Sequence, residues 1–210
     1  IMKEMGVDSH KVMDIFFLDT KLNISKAYLK PGFAFGGSCL PTDVRAIRAC
    51  GKAKGVQTHI FDALLEANDE QVRRAVKLIK ETGKKKVGMM GLSFKAGTDD
   101  LRESPLVTMA DLLLKEGYEL VIYDPSVFEA SQMEGANQKC IREGIPQISK
   151  CLVETAGEFL PRAEVIVIGN HGEDYGQIIA KTSAQTPIND LVRLKNNPVE
   201  DRACCTGICW

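Results

Sequence analysis

Apolar residues recur at helical spacing through the first part of the chain and in short unbroken runs through the second. Phe61, Leu65, Val72, Val76 and Ile79 fall on one stripe at a period of 3.6, and Ile60, Leu64, Ala75 and Leu78 widen it. The pattern predicts one long helix from about Gln57 to Glu81. So wide a stripe asks for burial on more than one side, as a helix bundle or a dimer seam would give. Packing against its own domain alone is the other reading. Upstream, Asp8 reads as the N-cap of a helix from His10 to Asp19, with Val12, Ile15, Phe16 and Phe17 on its apolar side and His10 in solvent. Ile1 to Val7 reads as the tail of a helix closed by Gly6. A further helix is expected from about Cys39 to Lys52, ended by Gly51 or Gly55.

Gly83 ends the long helix, and the pattern changes from there on. Lys86–Leu92, Glu119–Tyr123 and Glu164–Gly169 read as buried strands, and Pro187–Asp190 as a short last one. Between them, Ser104-Pro105 reads as an N-cap with proline at the first helical position, opening a helix to about Lys115 or Glu116. Further helices are expected from about Val127 and from Asp174 to Ala180, with an irregular charged region between. Strands alternating with helices build a parallel sheet covered on its faces. The expected fold is therefore α/β: a helical domain with a long helix (1–83), then a Rossmann-like parallel-sheet domain (84–210).

Composition narrows the setting. A formal net charge of -1 over 210 residues gives no bulk electrostatic pull toward nucleic acid. Charged residues are 26% and hydrophobic residues 44%, as in an ordinary globular protein. No apolar run reaches membrane-spanning length, and no signal peptide is visible. The expected compartment is cytoplasmic, with no nucleic-acid or membrane partner. The chain starts at Ile1 within what reads as a helix tail, so it is expected to be a piece of a longer protein. Its seven cysteines are odd in number and contain no CxxC, which argues against a disulfide framework or a structural zinc site. Cys204, Cys205 and Cys209 read as part of a mobile tail in preference to a metal site.

Candidate chemistry concentrates in Gly32-Phe33-Ala34-Phe35-Gly36-Gly37-Ser38-Cys39-Leu40-Pro41-Thr42-Asp43. Glycines let backbone lie close to a ligand. Ser38 reads as an N-cap, placing Cys39 in the first helical turn, where the helix dipole favours a thiolate. Asp43 follows one turn later on the same face. The bland alternative is a turn with a half-buried, inert cysteine. A second polar loop, Gly91 to Pro105, follows the first strand of the sheet domain and lacks the GxGxxG dinucleotide fingerprint. It lies where ligands bind in such sheets, so Lys95 and Arg102 are candidates for anionic ligand groups and Asp124 for a ribose hydroxyl.

Gly36-Gly37-Ser38-Cys39 with Asp43, then Phe94-Lys95 and Thr98-Asp99-Asp100-Leu101-Arg102-Glu103-Ser104-Pro105, resembles the nucleotide-sugar 6-dehydrogenase family. The resemblance covers essentially the whole chain. It extends to Lys30-Pro31-Gly32-Phe33-Ala34-Phe35 and to the ending Gly207-Ile208-Cys209-Trp210. It implies an N-terminal NAD domain, a central helical domain, and a sugar-nucleotide domain, of which this chain matches the last two and is expected to be inactive alone. By the resemblance, Cys39 is the nucleophile, Asp43 serves proton transfer or the hydrolytic water, and Lys95 contacts the substrate and steadies oxyanion character. It also implies that Tyr28, Lys30, Phe33 and Gly36 hold the substrate and that Thr42 and Arg102 reach NAD. Thr42 stands where the family usually has a lysine. The implied substrate is GDP-mannose, with UDP-glucose as the alternative. The implied assembly is a homodimer through the central domain, in polysaccharide biosynthesis of the alginate kind.

Overall fold

The computed structural model describes residues 1–23, 25–26, 29–132 and 146–210. Its centre is a parallel sheet of β1 (Lys86–Met90), β2 (Glu119–Tyr123), β3 (Leu152–Val153), β4 (Val165–Ile168), β5 (Ile188–Asp190) and β6 (Cys205–Gly207). The order is β3-β2-β1-β4-β5-β6, and every pairing is parallel. The order reverses beside β1, between β2 and β4, so the ligand crevice of such a sheet falls at those carboxyl ends. Among the described residues, the α-helices are α1 (Ser9–Phe16), α2 (Leu40–Lys54), α3 (His59–Glu81), α4 (Pro105–Lys115), α5 (Pro125–Gln132), α6 (Pro146–Ser149), α7 (Ala156–Phe159) and α8 (Tyr175–Ala180).

The period of two along each strand sorts the core into two layers. Val87, Met89, Ile122 and Val167 face the layer made by α4 and the second half of α3, where Val72, Ala75, Val76 and Ile79 are buried. Met90, Val121, Ile166 and Ile168 face the other, with Phe159, Ile178 and Ile179. Gly88 makes that second layer possible, since a Cβ there would stand 2.7 Å from the Phe159 ring. The sheet thus covers one half of α3. The other half leaves Ile60 and Leu64 exposed, beside Ile47 and Val56 of α2 and its following turn.

Several expectations need correction. The tail is not mobile: Cys205–Gly207 extends the sheet as β6, because its backbone pairs with β5 although its side chains carry no strand pattern. Among the described residues no cluster of metal-ligating side chains exists, and Cys140 lies outside them. Helix α1 keeps its Asp8 cap, which accepts from the His10 amide at 2.8 Å, but ends at Phe16; Phe17 is buried while Ile15 and Phe16 are exposed. Helix α5 begins at Pro125, and the stretch expected to be irregular holds α6, β3 and α7 after the undescribed residues 133–145.

Candidate active site

The glycine-rich loop is pinned joint by joint. The Gly32 carbonyl accepts from Gln71 Nε2 at 3.2 Å and from Cys209 Sγ at 3.4 Å. Phe33 and Ala34 pack against the main core. The Phe35 amide donates to Asn68 Oδ1 at 2.8 Å, and its carbonyl accepts from Asn68 Nδ2 at 2.9 Å. A carboxamide on α3 thereby stands in for a neighbouring strand. Gly37 then turns the chain at φ +87°, a left-handed conformation that suits glycine.

That turn sets where α2 begins. Cys39, not Ser38, takes the N-cap position of α2, and no side chain caps it. The Ser38 hydroxyl is left 3.8 Å from Cys39 Sγ instead of on a helix amide. Cys39 is exposed at the opening of α2. The Asp43 amide donates to the Cys39 carbonyl at 2.8 Å, so the two residues are one turn apart, and both side chains face solvent.

The second loop is organised from below by Asp124, whose expected ribose role needs correction. Asp124 is 3% exposed, and Oδ2 accepts from the Leu92 and Ser93 amides at 2.8 and 3.1 Å while Oδ1 accepts from Val127. Its acceptor capacity is spent holding the loop. Ser104 donates to the Leu92 carbonyl at 2.7 Å and caps α4, closing the loop at its other end. Between these ends Lys95 is exposed, and its backbone carbonyl accepts from Ser93 and Thr98. Arg102 lays a two-pronged guanidinium on Asp100 at 2.8 Å, and that hydrogen-bonded fork holds the Asp100 carboxyl below its ordinary value.

The two loops meet. A Cβ on Gly36 would stand 2.4 Å from the Glu103 carbonyl oxygen and 2.7 Å from Pro105 Cδ, and one on Gly37 would stand 2.9 Å from the Phe94 ring. Arg45 on α2 closes the same seam with an ion pair to Glu103 at 2.7 Å. The turn that carries Cys39 and the loop that carries Lys95 and Arg102 therefore form one surface.

Beside it opens a cleft of about 600 Å³ whose walls include Lys30, Gly32, His171, Arg193 and Lys195. Lys30 and Lys195 bring positive charge to it, Asp14 is also in its wall, and Arg193 is paired with Asp8 and Glu200. A second cleft of about 440 Å³ shares His171 and reaches Gly97, Asp124, Asn170 and Asp174 at the strand ends. Burial lowers the His171 pKa, and nearby Lys195 adds to the effect against Asp190. Tyr123, desolvated and donating to Asp174, is pushed up to about 12. His10 is not solvated as expected: its ring meets Trp210 edge-on at 5.3 Å, and its Nε2 is buried. Tyr28 lies outside the described residues.

Asn68, Gln71, Arg45, Arg193 and Lys195 escaped the sequence reading, and Glu103 entered it only as part of a motif. For Asn68 and Gln71 a signal existed, since polar residues three apart flanking an apolar stripe are placed to serve a neighbouring backbone. At the α4 N-terminus the Ser104 hydroxyl accepts from the Leu106 amide, Pro105 follows at the first helical position, and Gly36 packs against Pro105. Thr42, in the first turn of α2, and Arg102, in the loop after β1, are both exposed.

Comparison with known proteins agrees with this layout. The central domain of the UDP-glucose/GDP-mannose dehydrogenase family matches residues 1–70, and the family's UDP binding domain matches residues 88–196. A GDP-mannose 6-dehydrogenase of Pseudomonas putida is 43% identical over the whole chain, and one of Pseudomonas aeruginosa is 44% identical. The chain covers 48% of each, so it spans about half the length of these relatives. A UDP-glucose 6-dehydrogenase of Haloferax volcanii is 32% identical over 85% of the chain, which covers 39% of that protein. Among solved structures, a ternary complex of GDP-mannose dehydrogenase from P. aeruginosa matches with a TM-score of 0.82 over 100% of this chain and 47% of its own. A UDP-glucose dehydrogenase from Pyrobaculum islandicum matches at 28% identity with a TM-score of 0.79, over 99% of this chain and 45% of its own. The chain belongs to the UDP-glucose/GDP-mannose dehydrogenase family.

Proposed function

We propose that this chain is the central and sugar-nucleotide part of an NAD-dependent 6-dehydrogenase that oxidises GDP-mannose to GDP-mannuronate. The observation that carries the reading is the seam at Gly36 and Gly37, which joins the Cys39 turn to the Lys95 loop. In this reading residues 1–83 present the nucleophile and residues 84–210 hold the nucleotide. Lys30 and Lys195 in the cleft take the diphosphate. Tyr28, Phe33 and the backbone at Gly36 complete the substrate surface, and Thr42 and Arg102 meet the edge of the cofactor.

The reaction converts a primary alcohol to a carboxylate in two oxidations. NAD would supply hydride acceptance when bound. What the chain supplies is a covalent handle. The first oxidation yields an aldehyde at C6. The Cys39 thiolate adds to that carbon, forming a C–S bond as the carbonyl electron pair moves to oxygen and takes a proton. The resulting thiohemiacetal carries a hydrogen on C6 that can leave as hydride, giving a thioester. Water attacks the thioester, the C–S bond breaks, and the thiol returns. Lys95 sets a positive charge beside the oxygen where negative charge develops, and Asp43 accepts a proton from the attacking water.

The apolar hollow between α2 and α3, lined by Ile47, Cys50, Val56, Ile60 and Phe61, is the surface on which two copies associate. Similarity to GDP-mannose enzymes across the whole chain favours GDP-mannose over UDP-glucose. The expected setting is cytoplasmic synthesis of an alginate-like polysaccharide precursor, and the 210-residue piece alone is expected to turn over nothing. The test is NADH formation by the full-length enzyme with each sugar nucleotide. Cys39→Ser is expected to stop the second oxidation, with at most one NADH per substrate released. Normal conversion to the acid by that variant, or turnover of UDP-glucose alone, overturns the assignment.

A further inference from the structure

The last four residues take part in more contacts than closing a sheet requires. Gly207 lies under the Trp210 ring, where no larger residue fits, since a Cβ would stand 2.1 Å from the indole. The indole is held edge-on by His10 and lies 5.2 Å from the Arg193 guanidinium. Arg193 is itself tied to both oxygens of Asp8 at 3.0 Å, and Asp8 caps α1. Lys3 donates to the Gly207 and Trp210 carbonyls, and the Ser9 amide donates to the Cys209 carbonyl at 3.1 Å. Ile208 is buried in the main core. The backbone around Cys209 is thus fixed from both sides. Its side chain is then aimed at one acceptor, the Gly32 carbonyl at 3.4 Å, which is the first joint of the Cys39 turn.

We propose that Gly207–Trp210 is a positioning element for the Cys39 turn, acting through the Cys209 thiol on the Gly32 carbonyl. The proposal rests on Cys39 being the nucleophile. Burial, the largest influence on Cys209, pushes its thiol up, which keeps the S–H present as a donor at neutral pH. Gln71 serves the same carbonyl from α3, so the turn is suspended between the long helix and this closing segment. A shift at Gly32 is passed on through Phe33 to Phe35, Gly36 and Gly37, which are already in contact with Asn68, Glu103 and Phe94 and have no slack to absorb it.

The test uses the full-length enzyme with Cys209→Val, which removes the donor at similar volume, and Cys209→Ser, which keeps one. Hydrogen exchange of the peptide covering residues 32–39 is compared with that of β1 and β4. One weak thiol donor is involved, so Cys209→Val is expected to speed exchange in 32–39 by roughly three- to tenfold. The strands are expected to stay unchanged and Cys209→Ser to return the rate to within about twofold of the parent enzyme. Cys209→Val is also expected to lower kcat for sugar-nucleotide oxidation more than it raises KM for NAD, and Cys209→Ser to restore kcat. Unchanged exchange in 32–39, or an equal rise across the strands, overturns the positioning role. Wild-type enzyme inactive on every sugar nucleotide instead overturns the reading of Cys39, and leaves the exchange result to judge the tail by itself.

Discussion

Two glycines of the same loop, four residues apart, face opposite surroundings, and a single methyl on each separates them. At Gly36 an added Cβ meets the Glu103 carbonyl at 2.4 Å and Pro105 Cδ at 2.7 Å. Neither can step aside: one is backbone and the other a ring at the start of α4. At Gly32 the added Cβ meets nothing within 4 Å. Neither glycine has a left-handed φ, so the contrast is steric and not conformational. Overpacking of this kind costs about 1–3 kcal/mol. In a chain of this size each kcal/mol moves Tm by about 2–4 °C, so Gly36→Ala should melt roughly 2–12 °C lower. Gly32→Ala should be neutral or gain about 0.4–1 kcal/mol from the stiffer unfolded chain. Thermal melts of both variants, with turnover of the full-length enzyme beside them, provide the assay. Gly36→Ala should also lose kcat, because the displaced turn carries Cys39. Equal melting temperatures for the two variants would refute the claim that the loops are wedged together.

Asn68→Ala leaves both backbone groups of Phe35 without their partner, and denaturant titration should show a loss of about 2 kcal/mol, the sum of two net hydrogen bonds. Arg45→Ala removes a surface ion pair whose side chains are about half exposed, so its cost should stay below about 1 kcal/mol and vanish in high salt. Acid titration gives a further check. Burial alone would raise Asp8, but the His10 amide and Arg193 outweigh it and hold its pKa below the ordinary 3.8. A depressed folded value means that its stabilisation is complete above 3.8 and is lost as pH falls through the lower folded value. Stability curves of wild type and Asp8→Asn should therefore converge at the acid end of the titration.

Much of the fold was legible because burial in this chain follows period. β1, β2 and β4 are continuous apolar runs, and α4 announces itself by Ser104-Pro105. The glycine-rich turn was legible as a turn into a helix, since glycines before a proline-bearing helix start form a local pattern. β3 and β6 were not, because two or three residues added at a sheet edge need no pattern beyond a free neighbouring backbone. The role of Asp124 was misread for the same reason that His10 was. A carboxylate after a strand serves a ribose or its own loop, depending on which amides come within reach, and only the folded chain decides that. The seam between Gly36 and Glu103 joins residues far apart in sequence, and no local signal encodes such a meeting.

The clasp between Lys3, Asp8 and the segment around Arg193 and Gly207 also bears on the order in which the chain can fold. Lys3 reaches Gly207 across 204 positions, and Asp8 reaches Arg193 across 185. Contacts so distant carry the largest loop-closure cost and are made late. The β2-β1-β4 centre uses shorter crossovers and can assemble while α1 still waits for its partners. On the ribosome, α1 emerges long before Trp210 exists, with Asp8 and His10 lacking Arg193 and Trp210. The Cys39 turn therefore receives one of its ties, from Cys209 to Gly32, from a stretch synthesised long after it, so a chain interrupted before Cys209 would keep its sheet core and lack that tie.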